Sequence, residues 1–317
     1  MGLKEARAFI ERNDNFLIIS HVSPDGDTLG SGLALYSALR YLKKNAQIAC
    51  EQPVPPLYAF LRDSDKVLGY DEVKPFESII YVDCADLSRA GKLAGFALRA
   101  KNSLCIDHHE TNPLYADVNW IEDCAATGEM MYLLIRELKA PLDCGIAEQL
   151  FCALATDTGN FAYSNTTAQT FEIAGKLLES GIDLPELNRK LFRTMRLQKA
   201  KLIGLTLNRI ELYLNGTFGI SYIYKDEMLK LNATDADCEG LIDYVRDIDS
   251  VELACTLRES LSGRIRVSFR SKHDIDVTEL AAQFGGGGHA RAAGCTLDCS
   301  MDEALTKIKE AGFAFLS

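Results

Sequence analysis

The chain has 317 residues, 47% of them apolar and 25% charged, a globular balance that suits about two domains and excludes wholesale disorder. Its formal charge is −11, with 34 basic against 45 acidic residues. That balance excludes life on long nucleic acid, whose non-specific binding needs a basic footprint, but leaves room for a short or small phosphorylated ligand in one local pocket.

The opening segment, MGLKEARAFIERNDNF, is charged throughout and lacks the apolar core of a secretion signal. No apolar run approaches the roughly 18 to 20 residues of a membrane span, so no membrane partner is expected. Ten cysteines are scattered without C-x-x-C pairs. They read as small buried apolar groups of a reduced, cytoplasmic protein.

From Phe16 onward, short apolar runs alternate with longer amphipathic ones. FLIIS (16–20) predicts a buried strand and Thr28 to Leu42 a helix. AQIAC (46–50), SIIYVD (78–83) and SLCID (103–107) predict further strands, followed by helices at 127–138 and 147–156. This alternation predicts an α/β fold with a mostly parallel sheet flanked by helices. Ligands of such sheets sit outside the carboxyl ends of the strands. GIDLP (181–185) reads as a break that closes a first domain over 1–185. Residues 186 to 208 read as one long, basic helix, of which 186–205 is the connector. IELYL, GISYIYK, VELACTLRE and GRIRVSFRS then alternate at period two, with helices near 238–245 and 277–284. They predict a smaller α/β domain with a mixed sheet over 206–317.

Four of the five histidines fall in motif-like segments. His21 ends the first strand and precedes Asp25-Gly26-Asp27. Asp83 ends another, Asp107-His108-His109 a third, and Asp157 ends a helix. A lone Asp of this kind is an ordinary cap or turn residue. Four such segments at element ends, however, gather carboxylates that would repel one another without cations. Asp25, Asp27, Asp83 and Asp157 carry four negative charges, which two divalent ions balance, with neutral His21 and His108 completing the ligand set. Two ions roughly 3.5 to 4 Å apart, sharing a carboxylate and a water, lower the pKa of that water towards neutrality. Mixed oxygen and imidazole donors favour manganese over cobalt, iron or zinc, and serve magnesium poorly.

The segments HVSPDGDTLGS (21–31), YVDCAD (81–86), DHHETN (107–112) and ATDTGNF (155–161) resemble, in order and spacing, the four motifs of the DHH phosphoesterase superfamily. FGGGGHARAAG (284–294) resembles the DHH-associated substrate domain. The resemblance implies one manganese on His21, Asp25 and Asp83, and a second on Asp27, Asp83, His108 and Asp157. It also implies that Asp107 orients a ligand histidine, while His109 faces the substrate phosphate.

The run Gly285 to Gly288 with His289 lets the backbone approach a ligand closely, and consecutive N–H groups can form an anion-binding nest. Gly286, Gly287, Gly288 and His289 are therefore expected to bind phosphate. In GRIRVSFRS, Ile265, Val267 and Phe269 share one face; Arg264, Arg266, Ser268 and Arg270 share the other. Arg270 is expected to hold a substrate phosphate through bidentate geometry, and Arg291 to assist. Cys84, Cys105 and Trp120 read as packing residues, and His273 as a solvated one.

These readings converge on a two-domain, metal-dependent phosphoesterase in which metal-activated hydroxide attacks phosphorus in line. The architecture resembles the branch of oligoribonucleases and pAp phosphatases that take short RNA oligonucleotides and small phosphorylated nucleotides such as 3′-phosphoadenosine 5′-phosphate. A phosphodiesterase of cyclic or linear dinucleotides is the alternative enzyme, and a catalytically silent nucleotide-binding regulator the alternative of another class. A homodimer is implied by the resemblance alone.

Overall fold

A computed structural model describes residues 2–260, 262–273 and 275–316. The chain forms two compact units, 1–194 and 195–317.

In the first unit the elements run α1 (Leu3–Arg12), β1 (Phe16–Ser20), α2 (Gly26–Tyr41), β2 (Ala46–Ala49), β3 (Val67–Leu68), β4 (Ser78–Val82), β5 (Asn102–Asp107) and β6 (Val118–Ile121). They continue with α3 (Thr127–Glu137), α4 (Cys144–Asp157), α5 (Ala168–Glu179) and α6 (Leu184–Phe192). The six strands pair in parallel in the order β3-β2-β1-β4-β5-β6. The order reverses between β1 and β4, where open parallel sheets of this topology bind ligands at their carboxyl ends.

Alternation along the central strands feeds two cores. Phe16, Ile18, Ile80, Val82, Leu104 and Ile106 pack with the helices, while Leu17, Ile19, Ile79, Tyr81 and Cys105 pack beneath the segment Leu87–Arg99. Trp120 on β6 is fully buried, and Cys84 and Cys105 lie in the second of these cores. α2 is buried almost along its whole length because glycines let α4 approach it. A methyl group at Gly30 would strike the carbonyl of Gln149. All ten cysteines are free thiols, and no helix among the described residues is long and apolar enough to cross a membrane.

The second unit runs α7 (Leu197–Asn208), β7 (Glu211–Tyr213), β8 (Phe218–Ile223), α8 (Lys225–Leu231), α9 (Asp243–Arg246), β9 (Leu253–Glu259) and β10 (Ile265–Ser271). α10 (Val277–Ala282), β11 (Gly287–His289), β12 (Ala292–Leu297) and α11 (Met301–Phe315) follow. The sheet order is β11-β12-β10-β9-β8-β7, with β8 and β9 parallel and the other pairs antiparallel. Phe218, Leu253, Val267 and Phe269 bury one sheet face with Leu280 and Ile308 of α10 and α11.

The structure differs from the sequence reading in three places. Residues 186 to 208 form two helices, because Leu187 and Leu191 of α6 belong to the core of the first unit and Leu202 of α7 to a cluster of the second. The helix expected near 238–245 reduces to a short turn at Asp235–Cys238 and the four residues of α9. Part of the glycine run is a strand, since Gly287, Gly288 and His289 pair with Gly294, Ala293 and Ala292. A side chain at Gly288 would strike the carbonyl of Ala292, so this glycine serves close strand pairing. α1, β3, β6, α5, α8, β12 and α11 lie outside the sequence reading.

Candidate metal centre

β1, β4 and β5 end side by side, and each delivers one ionisable group to the same corner. His21 follows β1, Asp83 follows β4, and Asp107 closes β5 ahead of His108 and His109. Asp25 caps α2, its Oδ1 accepting the N–H groups of Asp27 and Thr28 at 3.1 Å. Asp157 is the last residue of α4. Asp83 takes a left-handed backbone, φ +58°, uncommon for a residue with a side chain and typical of functional turns.

Three overlapping groups of potential metal donors result: His21, Asp25 and Asp83; Asp27, His108 and Asp157; and Asp83, His108 and His109. In the first, His21 Nε2 lies 3.4 Å from Asp25 Oδ2 and 3.4 Å from Asp83 Oδ2. In the second, His108 Nε2 lies 3.9 Å from Asp27 Oδ2 and 3.7 Å from Asp157 Oδ2, and it is 3.6 Å from Asp83 Oδ1. Asp83 thus turns one oxygen to each group.

These separations exceed ordinary hydrogen bonds. They suit donors around a common ion, since two ligands each about 2.1 Å from a centre stand roughly 3 to 4 Å apart depending on the angle between them. The histidines are prepared for the same role. His21 Nδ1 donates to the carbonyl of Val22 at 2.7 Å, and His108 Nδ1 donates to the carbonyl of Cys124 at 3.1 Å. A ring nitrogen facing a carbonyl must carry the proton, which leaves the Nε2 lone pair of both rings for the cluster.

The carboxylates are fixed as firmly. Asp27 is 1% exposed, and its oxygens accept the N–H of Thr127 at 2.7 Å, the N–H of Gly128 at 3.0 Å and the hydroxyl of Ser31 at 2.9 Å. It therefore sits on the positive end of α3, an anion-favouring position. The Thr127 hydroxyl donates to Asp83 Oδ1 at 3.0 Å. Asn165 Nδ2 bridges the carbonyls of Asp157 and Ala125.

Asp107 is fully buried and holds His109, not the histidine of the donor group shared with Asp27. His109 Nδ1 donates to Asp107 Oδ1 at 2.7 Å, and Asn112 Nδ2 to its Oδ2 at 2.7 Å. The expectation that Asp107 orients a ligand histidine is thereby corrected for His108. Residues two apart share a side where β5 ends, which pairs 107 with 109 and leaves His108 to the Cys124 carbonyl.

Burial and like charge disfavour the ionised form of two carboxylates in this cluster. Burial, reinforced by the charges of Asp83 and Asp157, raises Asp27 well above the usual carboxylate range. Burial likewise lifts Asp157 to about 6. For His21, burial opposes protonation, but hydrogen bonding to Asp25 and Asp83 outweighs it and raises the ring to about 10. Buried carboxylates that stay charged need compensation. A divalent ion supplies it and displaces the protons. The donor chemistry fits such an ion.

The matches to known proteins follow this geometry. Residues 15–156 match the DHH family N-terminal domain, and residues 215–312 match the DHHA1 domain. The bifunctional oligoribonuclease and PAP phosphatase NrnA of Thermus thermophilus is 31% identical over 303 residues, covering 93% of this chain and 88% of that protein. The chain belongs to the DHH family. The Bacillus subtilis protein of the same name is 31% identical over 298 residues, covering 92% and 91%. A crystal structure of an exopolyphosphatase-related protein from Bacteroides fragilis superposes with a TM-score of 0.90 at 27% identity, covering 98% of this chain and 94% of that one. As a DHH-family phosphoesterase, the chain is a hydrolase of phosphoric esters.

Within the second unit of this DHH-family chain, the sheet register places the remaining sequence candidates. Arg270 pairs with Ala292, and Ala292 with His289, so Arg270 and His289 flank one small residue on the same face. Arg270 is half-buried, and its Nη1 donates to the carbonyl of Phe269. Gly286 is half-buried; Gly287, Gly288, His289 and Arg291 are exposed. His273 is exposed and paired with Glu252.

Sequence reasoning missed Thr127, Gly128, Ser31 and Asn112, along with the carbonyls of Val22 and Cys124. Asn112 stood within DHHETN and could have been found there. Thr127 and Gly128 act on a carboxylate a hundred residues away, and nothing local marks them.

Proposed function

We propose that this enzyme hydrolyses short oligoribonucleotides and 3′-phosphoadenosine 5′-phosphate, with manganese as its divalent ion. The observation that carries the reading is the split of Asp83 between two donor groups at the switch point of a parallel sheet. The names of the Thermus and Bacillus relatives supply the substrate class.

His21, Asp25 and Asp83 would hold one ion, and Asp27, Asp83, His108 and Asp157 the other. A bound pair of divalent ions lowers the pKa of water and withdraws charge from phosphoryl oxygens. The chain's own groups do the rest. His109 is 42% exposed at its side chain and lies beside the cluster, with Nδ1 committed to Asp107. Its Nε2 is free to meet a phosphoryl oxygen or to move a proton at the leaving oxygen. The Asp107 hydrogen bond raises the His109 pKa, which favours the protonated, donating form. Asp107 is thus a positioning residue. Arg270, His289, the backbone of Gly286, Gly287 and Gly288, and Arg291 would bind the substrate's phosphates. Ten unpaired cysteines fit a reducing, cytoplasmic location.

A panel of di- to pentanucleotide RNA, 3′-phosphoadenosine 5′-phosphate, long RNA and cyclic dinucleotides, with and without manganese, tests the reading. Turnover of the first two by wild type, lost in Asp157→Ala, is expected. Preference for long RNA or cyclic dinucleotides overturns the substrate assignment. Metal binding without turnover of any phosphodiester would make the chain a regulator instead.

A further inference from the structure

The first unit carries a second polar hollow, at the opposite end of its sheet from the metal centre. It is a cavity of about 510 Å³ whose lining includes Asn15, Arg40, Lys43, Lys44, Gln47 and Lys74. These residues come from the end of α2, the start of β2 and the segment ahead of β4, all inside the first unit. They gather at the amino ends of the strands, whereas the metal centre lies at the carboxyl ends. α2 measures the separation. Asp25 caps its first turn, Arg40 stands in its last, and its 16 residues span about 24 Å. The hollow is therefore separate from the site already described.

Its charge runs against that of the chain. Among the described residues four cations line it and no carboxylate does, in a protein of formal charge −11. Cations at a helix end commonly answer the helix dipole, which accounts for Arg40, Lys43 and Lys44 taken alone. It does not account for Lys74, which follows no α-helix. Lys44 is already engaged, its Nζ donating to the carbonyl of Asn13 at 2.7 Å and lying over the ring of Phe16. Arg40, Lys43 and Lys74 are exposed and pair with no carboxylate among the described residues. The nearby acids have other partners: Glu11 holds Arg7, Glu77 holds Lys101, and Asp14 accepts the N–H groups of Asn15 and Asn45. The walls are fixed as well. Gln47 exchanges two hydrogen bonds with the backbone of Lys74, at 2.8 and 3.2 Å, and Asn15 Nδ2 donates to the carbonyl of Pro75. Free cations held around one hollow repel one another, and an anion bound among them relieves that repulsion. No aromatic ring lines the hollow among the described residues, so it can read charge but cannot stack a base.

We propose that the hollow between Arg40, Lys43 and Lys74 binds an anion of two or more linked phosphates, apart from the metal centre and without regard to any base the anion carries. Inorganic polyphosphate and nucleoside triphosphates share that chemistry. Three free cations on two sides of a cavity call for a longer anion than a single phosphate, and the cavity volume suits one. The inference does not rest on the nucleotide reading above.

The test is lysine acetylation of the metal-free, full-length chain, mapped by mass spectrometry, with tripolyphosphate, ATP or inorganic phosphate present. Tripolyphosphate at about ten times its Kd should slow modification of Lys43 and Lys74 about tenfold, and ATP should do the same. Lys139, in a left-handed turn at the end of α3 like that of Lys43 after α2, should keep its rate. Protection of Lys43 and Lys74 should persist in Arg270→Ala, which separates this hollow from the second unit. By calorimetry, Lys43→Gln with Lys74→Gln should weaken tripolyphosphate at least about tenfold, in keeping with lost contacts to a charged group. Both lysines are exposed, so the double variant should melt as wild type does. Unprotected Lys43 and Lys74, equal protection of Lys139, or unchanged affinity in the double variant overturns the inference. Inorganic phosphate protecting as well as tripolyphosphate overturns it too, since a single anion would then suffice. A large advantage of ATP over tripolyphosphate overturns the indifference to a base.

Discussion

The two units carry their polar residues in opposite ways. In the first, Asp27, Asp83, Asp107 and His21 are almost wholly buried; Asp27 and Asp83 are held by Thr127 from far along the chain, and Asp107 and His21 by partners close to them in sequence. In the second, Arg266, His289 and Arg291 are exposed, and among the described residues Arg270 bonds only its neighbour's carbonyl. Groups that must gather like charges around ions need a rigid cage, because the repulsion they oppose is strongest where water is excluded. Groups that meet a ligand's charge need only lie on a shaped surface and can wait in solvent. The acidic and imidazole groups are thus locked into the core of one unit, whereas the basic groups of the other lie on its surface.

The contrast is broken most severely at Asp83. Asp83→Asn should lower kcat/KM at least about a thousandfold, beyond the roughly ten- to hundredfold cost of losing an outer partner. Loss of bound manganese, read by metal analysis, should accompany it. Chelation of the wild type should abolish turnover and lower the melting temperature. An ion present at a hundred times its Kd adds about 2.7 kcal/mol to the folded state. Re-addition of manganese should restore both readings, whereas an unchanged melt would mean that no ion is held. Thr127→Val, which removes the hydroxyl on Asp83 without changing shape, should weaken metal affinity by about ten- to a hundredfold. Arg270→Ala should act differently, raising KM for nucleotide substrates about tenfold with a smaller change in kcat and none in metal content. His273→Ala, at an exposed ion pair, should move stability by no more than about 0.5 kcal/mol.

Much of this arrangement was legible in the sequence. FLIIS, SIIYVD and SLCID form strands because they fill both faces of a buried parallel sheet, and the residues that follow them are the site. The gathering of His21, Asp25, Asp27, Asp83, His108 and Asp157 was legible because each stands at an element end in a recurring motif. What could not be read depends on distance along the chain. The embrace of Asp27 by Thr127 and Gly128 spans a hundred residues, and the choice of His109 over His108 by Asp107 is decided by side-chain direction at a strand end. The division of residues 186–208 into two helices likewise follows from two separate cores. α1 escaped notice because its apolar Ala6, Phe9 and Ile10 are few among charges, yet they bury against the first core.

The divided carboxylate of Asp83 also bears on how the enzyme is switched on. One oxygen faces His21 and the other His108, so whatever fixes the plane of that group for one side fixes it for its neighbour. Were both positions to hold ions, their affinities would be linked, each changing the other by the same factor. A titration with a divalent metal would then depart from the curve of two independent sites.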